Sequence, residues 1–406
     1  MSRQCPHWSR ARISGAWVFV GLLSLAGCGG GSSGSGSSVV PPAAGVELSD
    51  VAKLGEAIFK DESLSASGRM ACQTCHQPEH AHAALPTDAV SPGGPNLEKS
   101  GLRNSPSVRY ASLTPAFHFE ADGTPVGGFF RDGRAASLAD QARRPFLDPL
   151  EMANPSVASV IDKLSRATYV SEFMRVFGSD VLDDPSRAFD AVALALARYQ
   201  AEDPDFRPFD SKYDAFLDGR AALTEQQLRG LALFNDPAKG NCAACHPSAR
   251  GSDGSPPLFT DFTYDNLGVP RNAAIPANLD PAYVDLGLCG PQRTDLADRR
   301  ELCGAFKVPS LRNVSRTAPY FHNGRFETLE EAIAFYVRRD TNPEEWYPTG
   351  PDGVQKFDDL PPELHRNVNT TEAPYNRALG DEPALTPAEI ADVVAFLKTL
   401  DDGYAP

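Results

Sequence analysis

Positive charge is in deficit in this chain of 406 residues: 38 Lys and Arg stand against 53 Asp and Glu, a net charge of −15. A surface with so little to set against phosphates excludes nucleic acid as a partner. Long apolar runs are missing as well. The most apolar stretch, 15 residues from Ile13 to Gly27, falls short of the roughly 20 that a membrane-spanning helix needs. Little points to sheet, and 35 Pro with 33 Gly predict long, turn-rich connections. Tryptophan is nearly absent: Trp8 and Trp17 fall within the first 27 positions, which leaves Trp346 alone in the rest. Length sets the opposite bound, because 406 residues exceed the size at which one hydrophobic core keeps growing, and two domains are expected.

Residues 1–27 have the layout of an export signal, with Arg3, Arg10 and Arg12 ahead of the apolar stretch. The stretch closes on Leu25-Ala26-Gly27-Cys28, which resembles the lipobox of bacterial lipoproteins; the resemblance implies cleavage before Cys28 and a lipid on that residue. Residues 28–46 are too poor in apolar side chains to fold and predict a flexible tether. The expected product hangs in the oxidising periplasm from a membrane, by expectation the outer one. Loss of three Arg and no acid leaves 35 − 53 = −18, a balance suited to docking a basic protein or simply to a soluble surface.

Cys-x-x-Cys-His occurs twice, as Cys72, Cys75 and His76 and, 170 residues on, as Cys242, Cys245 and His246. In an exported chain this spacing lets both thiols form thioethers to the vinyl groups of a haem while the adjacent His supplies the proximal iron ligand. A thioredoxin-like pair wants a βαβ setting, whereas the flanks here read as helices, and a zinc site gives no reason for a His directly after each second Cys. Two covalently bound c-type haems are therefore expected, one per domain. Val51, Leu54 and Ile58 recur at helical spacing after Ser49, ahead of the first motif. Thr224 and Gln227 make a capping-box pattern ahead of the second. Thr386, Pro387 and Glu389 open a C-terminal helix with Ile390, Val393, Val394 and Leu397 on one face. Phe189, Val192, Leu196 and Tyr199 mark a further helix, and the domain boundary is placed just after it. The expected fold class is mainly α: two cytochrome c-like domains, residues 47–205 and 206–406, with long irregular loops. Of the other cysteines, Cys5 and Cys28 belong to the export segment. Cys289 and Cys303, 14 apart in a loop-like stretch, are expected to form a disulfide, which leaves no free thiol nucleophile.

Between the motifs, "RNSPS" (103–107), "FFRDGRAASLADQA" (129–142) and "PLEMAN" (149–154) follow in order, and "FKVPSLRNVSRTAPYFHNGRFETLEEAIAFY" (306–336) comes after the second. This ordered set resembles the bacterial di-haem cytochrome c peroxidase and MauG superfamily, over nearly the whole chain from about Val46. The resemblance implies hydrogen peroxide as the oxidant and puts Gln141 and Glu151 at the distal side of the N-terminal haem. A desolvated carboxylate there takes a proton from the near peroxide oxygen and returns it to the leaving one, with Gln141 orienting the substrate. Tyr336, on a helix opened by Thr328 and Glu331, falls opposite the proximal His of the second haem, where many peroxidases have Met and MauG-like members have Tyr. Met raises the haem potential, whereas an anionic phenolate favours high oxidation states. Asn104, Thr317 and Pro319 fall at a calcium site between the domains, and His322 falls against a haem propionate or backbone near that interface.

Three departures from the family pattern bear on function. No His lies between His82 and Asn104, and Asn96 stands where many members carry a His that caps the N-terminal haem. That iron is expected to keep an open position, with His80 and His82 on an exposed loop. Arg131 replaces the Trp that most relatives have before Asp-Gly-Arg, and Gly240 replaces a surface Trp of MauG two residues before the second motif. Electron routes through those indoles are therefore missing. The expected activity is reduction of hydrogen peroxide with electrons from a small cytochrome c or cupredoxin. The alternative is MauG-like oxidation of residues in a partner protein. A third reading is a passive electron-transfer module with both irons six-coordinate.

Overall fold

The computed structural model describes residues 47–405, so the expected export signal, Cys28 and the expected tether lie outside the described residues. Ten α-helices are found among the described residues: α1 (Asp50–Phe59), α2 (Cys72–Cys75), α3 (Leu138–Leu147), α4 (Val157–Leu164), α5 (Val170–Phe177), α6 (Pro185–Glu202), α7 (Lys212–Leu217), α8 (Glu225–Asn235), α9 (Leu329–Arg338) and α10 (Pro387–Leu397). Strand is limited there to four two-residue antiparallel ladders. No helix among the described residues is long and apolar enough to cross a membrane.

Side chains that satisfy the first free N–H groups set the helix starts. Ser49 Oγ accepts from Ala52 N at 3.2 Å to open α1. Thr224, Thr328 and Thr386 form reciprocal capping boxes with Gln227, Glu331 and Glu389 at α8, α9 and α10. Asp184 caps α6, with Pro185 at its first position.

The same helix crossing is built twice. α1 meets α6 at Gly55, where a Cβ would stand 2.0 Å from Ala195 O, and α8 meets α10 at Gly230, where a Cβ would stand 2.0 Å from Asp392 O. Only glycine permits that approach. Each crossing backs one Cys-x-x-Cys-His segment and one apolar cluster. The first cluster is drawn from residues 54–206 around Phe59, Phe146, Leu196 and Phe206; the second is drawn from residues 213–400 around Phe234, Phe259, Val393 and Phe396. Edge-on aromatic pairs bind each together, such as Tyr199–Phe206 at 5.0 Å and Phe234–Phe396 at 5.2 Å.

Both clusters lie in one compact unit that begins at Leu48, and the seam between them is polar. Arg103 donates to both oxygens of Asp285 at 2.6 and 2.7 Å and to Asp132 at 2.7 Å. Tyr264 Oη donates to Gly127 O at 2.6 Å. In the second half, buried Arg312 and Asp214 form a two-pronged pair at 2.8 and 2.9 Å. Cys289 and Cys303 are joined in a disulfide with Cα atoms 4.9 Å apart, packed on Leu364.

One expectation is overturned here. His82 is 2% exposed. Its Nε2 bonds Asp205 Oδ2 at 2.6 Å and its ring stacks on Phe206 at 4.4 Å. Left-handed backbone at Ala81 and His82 folds the segment back on itself, with Gln77 N donating to Ala83 O, and turns the imidazole inward. His80 is half-buried in the same turn.

Candidate active site

A cavity of about 500 Å³ is lined by both Cys-x-x-Cys-His motifs and by apolar side chains including Met70, Leu196, Phe234, Val393 and Leu397. The first motif forms the single turn α2. His76 Nδ1 faces Pro106 O at 3.1 Å and His82 O at 3.3 Å, so the buried His82 turn also positions His76. His246 Nδ1 faces Phe259 O at 2.7 Å. Because a carbonyl only accepts, each Nδ1 carries the proton and each Nε2 is left with a bare lone pair, as a metal ligand requires. Burial pushes His76 down to about 4 and lowers His246 too, which keeps both imidazoles neutral.

None of the four motif thiols is in a disulfide, whereas Cys289 and Cys303 are oxidised together. Burial pushes Cys72 and Cys242 up to about 12 and Cys75 up to about 11. Such thiols are poor enzymic nucleophiles. Reduced thiols at this spacing beside a neutral, oriented imidazole, lining one apolar cavity, fit a covalently attached haem at each motif.

Gln141, on α3, and Glu151, in the turn after it, line the cavity together with Cys72, Cys75 and His76. α3 ends at Leu147, and Asp148 O then accepts from Glu151 N at 3.0 Å and from Ala153 N at 2.9 Å. Gly93 grips this turn from outside: a Cβ there would stand 1.9 Å from Leu150 O, and the next residue, Gly94, donates to Glu151 O at 2.8 Å. Burial, and then the charge of Asp148, push the Glu151 carboxyl up to about 7, with Arg134 pulling the other way. A carboxyl balanced at that value both takes and returns a proton near neutral pH. Asn96, His80 and His82 do not line the cavity. Asn96 is tied outside it, with N held by Glu98 at 2.8 Å and O by Arg69 at 3.0 Å.

Tyr336, on α9, lines the cavity at the second motif. Burial, then Cys245 and Cys242, raise its hydroxyl far above the ordinary phenol range, so it keeps its proton unless a cation meets the oxygen. The ring lies 5.5 Å from Phe321 and 6.0 Å from Tyr375. Two further cavity residues, Asp265 and Lys307, were given no role by the sequence. Burial pushes the Asp265 carboxyl up to about 6, and its charge is felt at both Tyr336 and Tyr375. Burial likewise pushes Lys307 down to about 8, and its Nζ donates to Gly128 O. In the ladder Asp265 pairs with Phe306 and Lys307 with Tyr264, so the two side chains leave on opposite faces.

The calcium expected at Asn104, Thr317 and Pro319 does not fit the residues present. All three line the cavity, but Asn104 O and Oδ1 both accept from the guanidinium of Arg131, at 3.0 and 2.8 Å. Thr317 and Pro319, expected to offer only their main-chain carbonyls, bring no negative charge to offset it. A positive side chain already on the oxygens, with Arg103 close enough to repel it, is the wrong setting for a divalent cation. His322 stacks on Phe306 at 3.7 Å, its carbonyl accepts from Asn104 N at 2.8 Å, and burial pushes its imidazole down to about 3.

The sequence profile of the di-haem cytochrome c peroxidase family matches residues 49–222. Over 369 residues the chain is 40% identical to the methylamine utilization protein MauG of Paracoccus denitrificans (strain Pd 1222), covering 87% of this chain and 88% of that protein. It is 32% identical over 304 residues to the cytochrome c551 peroxidase of Nitrosomonas europaea, covering 73% of this chain and 76% of that one. The crystal structure of the diheme peroxidase BthA from Burkholderia thailandensis E264 aligns with a TM-score of 0.80 at 40% identity, over 90% of this chain and 89% of that chain.

Proposed function

Because this chain belongs to the di-haem cytochrome c peroxidase and MauG family of oxidoreductases, we propose that it reduces hydrogen peroxide in the periplasm with electrons from a small cytochrome c or cupredoxin. Cys72, Cys75 and His76 would hold one c-type haem, and Cys242, Cys245 and His246 would hold the other, with Tyr336 lining the same part of the cavity. Lipid on Cys28 and the tether of residues 28–46 keep the enzyme at the outer membrane.

The observation that carries this reading is Glu151: a carboxyl balanced at about 7 that faces the cavity beside the first motif, on a side that Asn96, His80 and His82 do not reach. The haem, when bound, supplies the iron that takes up peroxide and passes the electrons that split the O–O bond. A Glu151 carboxylate oxygen accepts the proton of the near peroxide oxygen and hands it to the leaving one, so that the far oxygen departs as water. The Gln141 side-chain amide orients the substrate for that transfer. The reaction balances as H2O2 with two protons and two electrons giving two waters.

A second reading is favoured by one observation, that a Tyr rather than a Met lines the cavity at the second motif. In that reading the two electrons come from side chains of a basic partner protein docked on this acidic chain, as MauG-like chemistry implies. Steady consumption of peroxide with a reduced small cytochrome c supports the first reading, and a peroxide-dependent mass change on a partner supports the second. Two low-spin, six-coordinate irons that ignore peroxide in both the oxidised and the half-reduced protein would leave a passive wire and end both.

A further inference from the structure

Arg131 stands where the family pattern has a Trp, and its side chain ends at the seam between the two apolar clusters. Nε donates to Asn104 O at 3.0 Å and Nη2 to Asn104 Oδ1 at 2.8 Å. Both residues are hooked to the second half of the chain, because Asn104 N donates to His322 O at 2.8 Å and Lys307 N to Arg131 O at 2.8 Å. Among the described residues no carboxylate pairs with this guanidinium. Two acids of the same seam are engaged elsewhere: Asp285 takes Arg103 in two prongs, and Asp132 takes Arg103 at 2.7 Å and Arg134 at 3.0 Å.

We propose that Arg131 is the resident cation of this junction, its guanidinium filling the Asn104 oxygens in place of a divalent metal, so that the enzyme is assembled and works without calcium. A calcium ion on Asn104 Oδ1 would sit within a few ångströms of the guanidinium, with Arg103 adding to the repulsion and no unengaged carboxylate to offset it. The planar fork of an arginine satisfies two oxygens of one residue at once and keeps its charge across the whole working pH range. Unlike a bound ion, it is not lost to a chelator.

The test uses the holoprotein with both haems attached. Calcium per chain is measured by inductively coupled plasma mass spectrometry, and the visible spectrum and unfolding midpoint are recorded with EGTA and then with added calcium chloride. The parent is expected to hold no stoichiometric calcium and to respond to neither reagent. Arg131→Gln frees the oxygens without adding charge; it is expected to bind one calcium ion by titration calorimetry and to recover with it whatever midpoint it lost. Arg131→Lys keeps the charge and is expected to stay calcium-free. One tightly held calcium in the parent, removed by EGTA with a change in spectrum or midpoint, overturns the proposal, and this measurement decides alone if the variants fail to fold. A folded Arg131→Gln protein that takes no calcium also overturns it, since the guanidinium would then not be what keeps the metal out.

Discussion

Replacing Glu151 with Gln is expected to slow the reaction with peroxide and, at mildly alkaline pH, to stabilise the fold, because both effects stem from the burial of one carboxyl. Its ordinary value of 4.5 is pushed up to about 7, and each tenfold change in proton affinity is worth about 1.4 kcal/mol, so the ionised group costs about 3 kcal/mol of folding stability. The sign follows from proton binding. Below pH 4.5 the carboxyl is protonated in both folded and unfolded chains and costs nothing; between 4.5 and about 7 the unfolded chain gives up its proton first, and above about 7 the full cost is present. Gln mimics the neutral acid at every pH. Guanidinium unfolding of the holoprotein, followed by far-ultraviolet dichroism, should therefore show parent and variant closely matched near pH 4.5, with the variant ahead by about 3 kcal/mol near pH 8.5. In stopped-flow mixing with peroxide, the parent rate constant should rise with pH through about 7, and the variant should lose that rise and react roughly 10² to 10⁴ times more slowly. A variant that keeps the parent rate, or whose stability gain is the same at both pH values, refutes the assignment of Glu151 and the burial argument respectively.

Gly93→Ala places a methyl group against Leu150 O and should shift the turn that carries Glu151. A drop of about 10²-fold in the peroxide rate is expected, and an unchanged second-haem spectrum would confirm that the damage is local. Asp214→Ala removes the two-pronged partner of the buried Arg312 guanidinium, leaving Asp402 at 3.9 Å as its carboxylate, and should cost about 3 kcal/mol in denaturant unfolding; a loss under 1 kcal/mol would mean that water reaches the site. Tyr336→Met should raise the potential of one haem in a redox titration and leave the other in place. Two unmoved potentials would remove Tyr336 from the iron.

Some features of this protein were legible because their chemistry is local. The three residues of each Cys-x-x-Cys-His motif lie within five positions of one another. The caps at Ser49, Thr224, Thr328 and Thr386 reach the first turns of their own helices. The helix around Phe189 and Leu196 follows from a repeat of 3.6, which any reader of the chain can count. The burial of His82 is not legible for the complementary reason: its inward turn depends on two left-handed residues and on Asp205 and Phe206, which stand far along the chain.

What the order of residues determined, then, is the pair of Cys-x-x-Cys-His segments and the helices that frame them, since each is written in a few consecutive positions, whereas Glu151 and Tyr336 were marked only by the family resemblance. Only the tertiary structure decided that Glu151 is buried enough to titrate near neutrality, that Asp265 and Lys307 reach the cavity from a two-residue ladder, that Gly55 and Gly230 are the points where helices touch, and that Arg131 lies on Asn104. Each of these depends on dielectric surroundings or on distances between residues far apart in sequence, and both come into being only when the chain has closed on itself.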